Sequence, residues 1–390
     1  MIRASIIGAG MTKFGTHADL TLSELFAAAA LPALDDAGIG PDEVDALYFG
    51  NTSAAISEND THLGPKAASQ IGLAGVPTQR FEDACATSAM ATKHAVAAIE
   101  SGLHDVILVG GAERCTPASG LDTDEMTRVF ASAASRQYEQ PVGLTFPGVF
   151  ALLTKRHMHE YGTTRDQLAE VAVKNHHHGS LNPRAQHGQK ITREDVHDGP
   201  LIADPFHLYD CCPFSDGASA ILVVSQDAAE SFDSEAVDIT GIGHASGGVP
   251  LAEQSAFTAT QAARDAVGAA YDQSGRTADD VDFCEVHDCF TGAEVLATEA
   301  LGLVEDGEGG PAAAAGRTAL GGDIPVNPSG GLKAKGHPIG ATGTAQIVEL
   351  TEQLRDEAGD RQVESPSVGL AHNLGGEAAT TVVTVVEARS

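Results

Sequence analysis

The apolar positions of this chain fall into short runs and helical stripes that occur twice in the same order. Ser5-Ile6-Ile7-Gly8-Ala9-Gly10 reads as a strand closed by a tight turn. Thr21 to Ala37 carries an Ala/Leu face at helical spacing, with Thr21 or Ser23 as its cap and Gly38 as its stop. Pro41-Asp42-Glu43-Val44-Asp45-Ala46-Leu47-Tyr48-Phe49 then leads into a second strand. The order returns at Asp238-Ile239-Thr240-Gly241-Ile242-Gly243, at an alanine-rich helix from Thr258 to Tyr271, and at Ala278-Asp279-Asp280-Val281-Asp282-Phe283-Cys284-Glu285-Val286. Strands near 106–110 and 367–371 hold comparable places in the two halves. A duplicated α/β unit of this kind predicts two stacked or side-by-side parallel sheets.

An insertion, 118–204, separates the halves. The boundaries are 1–117 plus 205–234 for the first half and 235–390 for the second. The insertion includes an expected helix from Arg165 to His178. Between Lys155 and Arg193 it holds seven bases (Lys155, Arg156, Arg165, Lys174, Arg184, Lys190, Arg193) against three acids (Glu160, Asp166, Glu170), a local balance of 7 − 3 = +4. The whole chain, with 54 acids and 23 bases, carries −31. The inverted charge is where a phosphorylated ligand is expected; the alternative is a basic face that pairs with acidic surface elsewhere. His176-His177-His178 point in different directions on a helix, so the histidines here make a poor metal site.

The charge changes the picture further. A surface this acidic excludes nucleic acid and anionic membrane as partners. It also suggests a salt-loaded cytoplasm, as in a halophile, where screening shortens the self-repulsion; stability at low salt and loss of structure in KCl would contradict this. No apolar run approaches the roughly 18 residues of a membrane span. The first ten residues lack a signal-peptide pattern, so a cytoplasmic location is expected. The six cysteines, at 85, 115, 211, 212, 284 and 289, form no Cys-x-x-Cys pair, which disfavours structural zinc and leaves candidate reactive thiols.

Four segments carry candidate chemistry. Cys85, in Ala84-Cys85-Ala86-Thr87, follows an expected strand (Gln79 to Phe81) and precedes an alanine-rich helix running to about Ser101. At a helix N-terminus the macrodipole lowers a thiol's pKa. Glu285-Val286-His287-Asp288-Cys289-Phe290 closes a strand of the second half. If extended, it places His287 and Cys289 on one side. Residues 326–343 hold seven Gly or Pro among 18 and one imidazole, His337, between Gly336 and Gly340: a shaped loop running into a helix at Pro338. Ala371-His372-Asn373-Leu374-Gly375-Gly376 is a Gly-rich strand exit able to offer backbone N–H donors. Two Cys and two His at element ends suffice for a nucleophile, a base, an acid and oxyanion donors. Cys211 and Cys212 precede a Pro and a turn and read as structural; Cys115 and Cys284 read as core.

Together, Cys85 before its helix, His287-Asp288-Cys289-Phe290, Asn327-Pro328-Ser329-Gly330-Gly331 with Gly336-His337-Pro338, and His372-Asn373-Leu374-Gly375 resemble a thiolase, more narrowly the sterol-carrier-protein type and its archaeal relatives. The likeness extends to Tyr209-Asp210-Cys211-Cys212-Pro213 and covers nearly the whole chain. It implies a five-layer αβαβα thiolase fold of duplicated βαβαβαββ halves with an inserted loop domain. It implies that Cys85 carries the acyl group, that His337 activates it, and that His287 completes an oxyanion hole where other thiolases have Asn. Cys289 would be the acid/base in place of the cysteine missing from Asn373-Leu374-Gly375. The N–H groups of Cys85 and Gly375 would form a second oxyanion hole. Coenzyme A thioesters are then the substrates, with no further cofactor and no metal. The resemblance places Ser329, Gly330 and the basic residues Arg156, Arg165, Lys174 and Arg184 at the coenzyme. It further implies a homodimer or tetramer and a possible small OB-fold/zinc-ribbon partner. Acetoacetyl-CoA formation for isoprenoid or polyester precursors is expected first, and β-oxidation second. The alternatives are a thiolase-like retro-aldolase on sterol side-chain CoA esters, which would not need a nucleophilic cysteine, and a non-catalytic acyl-CoA or lipid-binding scaffold.

Overall fold

The computed structural model describes residues 2–73, 75–254 and 260–389. Eleven strands are assigned: β1 (Ala4–Met11), β2 (Ala46–Gly50), β3 (Thr78–Phe81), β4 (Val106–Arg114), β5 (Leu201–Ala203), β6 (Phe206–His207), β7 (Asp216–Ser225), β8 (Val237–Ser246), β9 (Phe283–Glu285), β10 (Val368–Gly375) and β11 (Thr380–Ala388). Nine of them run β3-β2-β4-β7-β1-β8-β11-β10-β9, while β5 and β6 pair apart as a hairpin.

The duplication is visible in this order. β3-β2-β4-β7-β1 forms the first half-sheet, and β9-β10-β11-β8 repeats it, extended by a parallel bridge from Cys284 to Val326. The sheets are mixed rather than parallel. β7 runs antiparallel to both β4 and β1, and β11 antiparallel to both β10 and β8, whereas β2, β3 and β4 are mutually parallel, as are β9 and β10. β10 and β11 are joined by a short turn, whereas β4 and β7 pair antiparallel across the whole insertion, a direction that the period-2 pattern cannot disclose. Nor are the halves separate sheets: β1 and β8 pair over three residues, Ala4↔Ile239, Ser5↔Asp238 and Ile6↔Val237.

Three apolar layers cover the two half-sheets. Helix Leu22–Ala37 and helix Leu63–Gln70 bury Leu25, Phe26, Ala33 and Ala67 against one face of the first, with Leu47, Phe49, Leu108 and Leu222. Helix Thr87–Glu100 and helix Thr342–Leu354 lie between the halves, where Ala91, Ala95, Ile347 and Leu350 meet Ile6, Ile107, Val223, Ile239 and Val386. Helix Gln261–Ser274 and helix Thr291–Ala300 cover the outer face of the second half with Ala266, Val267 and Ala297 against Val368, Leu370, Val383 and Val385. The result is αβαβα. The expected start of the 261–274 helix at Thr258 lies outside the described residues.

Small residues permit this closeness. A Cβ at Gly243 of β8 would sit 1.8 Å from the Ala266 carbonyl. Of the two expected caps, Thr21 starts the first helix, with a capping box to Glu24, and the helix stops at left-handed Gly38 (φ 68°). In the insertion, helix Phe146–Tyr161 and helix Arg165–Gly179 pack on the 291–300 helix. Among the described residues no helix is long and apolar enough to cross a membrane.

Candidate active site

Cys85 stands in the sharp turn between β3 and the 87–100 helix. Ala84, just before it, has a left-handed φ of 45°, a costly conformation without glycine's freedom. Thr87 Oγ1 donates to the Ala84 carbonyl at 2.6 Å and accepts from the Asp83 N–H at 2.9 Å, which holds the turn. Cys85 is thereby presented to a cavity of about 280 Å³. The expected lowering of its pKa by the helix is overturned. Burial, then the Glu113 and Glu82 carboxylates, push the thiol up to about 12, outweighing N–H groups of Gly376 and of Cys85 itself. The turn lies before the helix's first residue, so the dipole acts weakly against desolvation. The resting group is a thiol.

The 326–343 loop brings an imidazole to the same cavity. Gly336 has φ 116°, and a Cβ there would lie 2.7 Å from Ser215 Oγ, which accepts from the His337 N–H at 2.9 Å. Buried Glu113 accepts from the Gly340 N–H at 3.1 Å and from Thr52 and Ser53, tying the loop to the first half. His337 Nδ1 is 2.7 Å from Thr342 Oγ1, whose hydroxyl donates to the Pro338 carbonyl at 2.9 Å. A hydroxyl has one proton. Nδ1 must therefore be the donor, and the network assigns the lone pair to Nε2. Burial takes His337 down to about 3, so the ring is neutral and free to accept a proton.

His287 completes the cluster. The Cys85, His287 and His337 donor atoms all lie within 4.8 Å of one another, and the two rings cross edge to face with centroids 5.0 Å apart. Asn373 Nδ2 lies 3.1 Å from His287 Nδ1, which reads as an amide donating to that nitrogen. Nε2 then carries the proton and is buried without a partner. Burial, and then His337 and His372, hold His287 well below the ordinary range, so the ring beside Cys85 is neutral. Cys289 lines the same cavity. It does so although β9 ends at Glu285, so the strand alternation expected to align residues 287 and 289 does not extend to them. Burial, then Cys212, Cys85 and Asp288, push the Cys289 thiol well up, with Lys333 acting the other way.

Several expected positions fall differently. Gly375 closes β10 opposite Thr380; it is Gly376, one residue on, whose N–H reaches the Cys85 sulfur. Ser329 Oγ donates to Glu285 at 2.7 Å and Gly330 packs on Gly179, so both brace the loop rather than line the cavity. The basic residues are spent on acids: Arg156 on Glu160, Arg165 on Asp210 at 2.8 Å, Arg184 on Glu352. Lys174 is buried, 3.0 Å from Glu294 and 2.8 Å from the Val326 carbonyl, and offers no surface charge to a phosphate. Cys211 and Cys212 both line the cavity, and the Cys212 N–H donates to the Cys289 carbonyl at 2.9 Å. Thr342 and Asn373 lie inside segments singled out above, but their contacts with the histidines were not expected, and Glu113, which ties the loop, gave no sign in the sequence. The remaining wall is mostly apolar, with Phe130, Phe146, Phe150, Phe214, Phe290 and Leu374, and adds the hydroxyls of Thr123 and Thr127. A second cavity, of about 260 Å³ with Thr52, Ser53, Glu82 and Ser132, meets the first at Cys85.

The chain is also similar to known proteins over its whole length. The thiolase N-terminal domain family matches residues 4–227, and the thiolase C-terminal domain-like family matches 243–388. An acetyl-CoA acetyltransferase of Methanothermobacter thermautotrophicus is 42% identical over 97% of this chain and 98% of its own length. Sterol carrier protein 2 of Homo sapiens is 33% identical over 96% of this chain and 70% of its own. Among solved structures, an Ltp2-ChsH2(DUF35) aldolase superposes with a TM-score of 0.84 at 26% identity, covering 99% of this chain and 98% of its own. Human mitochondrial 3-ketoacyl-CoA thiolase shares the fold, with a TM-score of 0.74 at 17% identity and full coverage of both chains. With both family domains matched in order around one cysteine–histidine cluster, this chain belongs to the thiolase family and is an acyltransferase.

Proposed function

We propose that the protein joins two acetyl-CoA molecules into acetoacetyl-CoA and CoA, or runs the reverse thiolysis, through an acyl group carried on Cys85. The observation that carries this reading is the convergence of the Cys85 thiol with two neutral imidazoles of opposite role, Nε2 of His337 as acceptor and Nε2–H of His287 as donor. His337 takes the Cys85 proton as sulfur attacks the thioester carbonyl, and the oxyanion meets the His287 N–H. One such donor contributes about 2.7–4 kcal/mol. The new imidazolium favours ionisation of the nearby Cys289 thiol, which passes its proton to the departing CoA thiolate. Cys289 thiolate then removes the α-proton of the second acyl-CoA. The resulting carbanion attacks the acyl-Cys85 thioester, with Gly376 and Cys85 N–H groups beside the sulfur as donors. Expelled Cys85 recovers its proton from His337, and every proton is accounted for.

The apolar cavity wall suits a pantetheine arm and acyl group, and the six free cysteines are in keeping with a reducing cytoplasm. A small second chain at the CoA entrance is part of the proposal, supported by the DUF35-containing aldolase complex among the structural neighbours. The test is incubation with acetyl-CoA followed by mass spectrometry of the Cys85 peptide. An acetyl adduct is expected in the wild type and in Cys289→Ala, with condensation lost in the latter. Full turnover by Cys85→Ala would remove the nucleophile from this role and favour aldolase-like chemistry.

A further inference from the structure

We propose that Cys85, His287 and His337 also form a three-ligand site for a borderline-soft divalent cation such as Zn²⁺, whose occupation holds the enzyme off. The ligand set stands on geometry alone, whereas the inhibition rests on the function proposed above. One sulfur and two ring nitrogens lie within 4.8 Å of one another. Bonds of about 2.0–2.3 Å to a tetrahedral zinc put donors about 3.5 Å apart, so the cluster must close by about 1 Å. Closing it takes small side-chain rotations of Cys85 and of both histidines. The donor set contains no carboxylate, which selects Zn²⁺ or Co²⁺ over Mg²⁺ or Ca²⁺. The fourth position opens onto the cavity, the pattern of an open rather than a structural zinc site.

The surroundings already hold His337 as a ligand requires, and His287 after one amide turn. His337 donates Nδ1–H to Thr342 Oγ1 at 2.7 Å, the outer bond that metal-ligating histidines make, and aims its Nε2 lone pair at the cluster. His287 presents an unpartnered, fully buried Nε2. Beside it, Asn373 Oδ1 is equally unpartnered. A half-turn of the Asn373 amide puts Oδ1 against Nδ1, which then takes the ring proton and leaves Nε2 a lone pair. The turn exchanges one unpartnered amide atom for the other, so the buried orphans do not increase. Asn373 thus sets whether His287 serves as oxyanion donor or as metal ligand. Metal binding converts the Cys85 thiol to a bound thiolate and releases one proton to solvent. Nucleophile and base are then both engaged.

The test uses reduced, metal-free protein. Equilibrium dialysis against Zn²⁺ is expected to show one equivalent fewer in Cys85→Ala than in the wild type, the subtraction removing adventitious sites on the acidic surface. Co²⁺ is expected to give a sulfur-to-metal charge-transfer band that Cys85→Ala lacks. Zn²⁺ should slow iodoacetamide alkylation of Cys85 at least ten-fold, read by peptide mass, with recovery on adding EDTA. Cys85→Ser, folded by circular dichroism, guards against a folding defect and should also lose the band. Equal zinc stoichiometry in all three proteins, or alkylation unaffected by saturating Zn²⁺, would overturn the proposal. Dialysis and alkylation do not depend on turnover. A protein that binds zinc here yet forms no acyl-enzyme would contradict the acyl-transfer reading and leave the metal site standing.

Discussion

Lys335 Nζ lies 3.2 Å from Glu285 Oε2, both side chains almost wholly buried, and each residue stands two positions before a histidine of the cluster. The pair joins the loop that carries His337 to the strand end that carries His287. It continues to Glu349 and Arg361, 3.0 Å apart, so the charge is compensated inside the protein. Removing one partner of such a pair leaves a buried charge uncompensated and costs about 3–5 kcal/mol. Lys335→Met is therefore expected to lower unfolding free energy by that order, read by urea denaturation. The double variant Lys335→Met/Glu285→Gln should recover a large part. A single variant as stable as wild type would show that the pair does not tie the segments.

Thr342 acts on chemistry only through the tautomer of His337. Thr342→Val keeps the shape but leaves a buried Nδ1–H without an acceptor, worth about 1–3 kcal/mol. The acylation rate of Cys85 should fall about 10- to 100-fold with CoA affinity unchanged. Rapid-quench mass spectrometry separates the two, and an unaltered rate would detach Thr342 from the base.

Asn373 makes a sharper prediction, because the sign of its dipole matters. Asn373→Ala removes a donor and leaves His287 free to turn. Asn373→Asp instead demands a proton on Nδ1 and turns a bare Nε2 toward the oxyanion. The aspartate variant should be slower than the alanine variant, with a loss of about 100- to 1000-fold as for a missing oxyanion donor. Steady-state kcat at pH 8 decides the order.

Glu377 gives a pH dependence. Its buried carboxyl is held up to about 7, first by burial and then by Glu139, against the N–H donor of Ser135. The folded state holds this proton more tightly than the unfolded chain. The group's stabilising contribution is thus complete below about pH 4.5 and is lost as pH rises through about 7. Glu377→Gln should raise stability at pH 8 by about 1–3 kcal/mol and change little at pH 4.5. Thermal melts at the two values check the difference; a gain at the acidic value alone would reverse the assignment.

How much of this was legible in one dimension follows from the range of each interaction. The duplicated apolar pattern, the Thr21 and Gly38 helix boundaries, and the left-handed Gly336 are set by neighbours within a few residues, and periodicity and side-chain type expose them. Cys85, His287, Cys289 and His337 were recognisable because their segments are locally unusual. Other properties depend on partners far along the chain. The pKa of Cys85 depends on Glu113, and the tautomer of His287 on Asn373. The engagement of Lys174 depends on Glu294, and the turn of Cys211 and Cys212 toward the cavity follows from pairing with the 289–290 segment. The residues themselves determine which atoms can act as acid, base or nucleophile. Only the folded chain decides which are desolvated and which face each other, because desolvation and short-range hydrogen bonding act through space and leave no periodic trace.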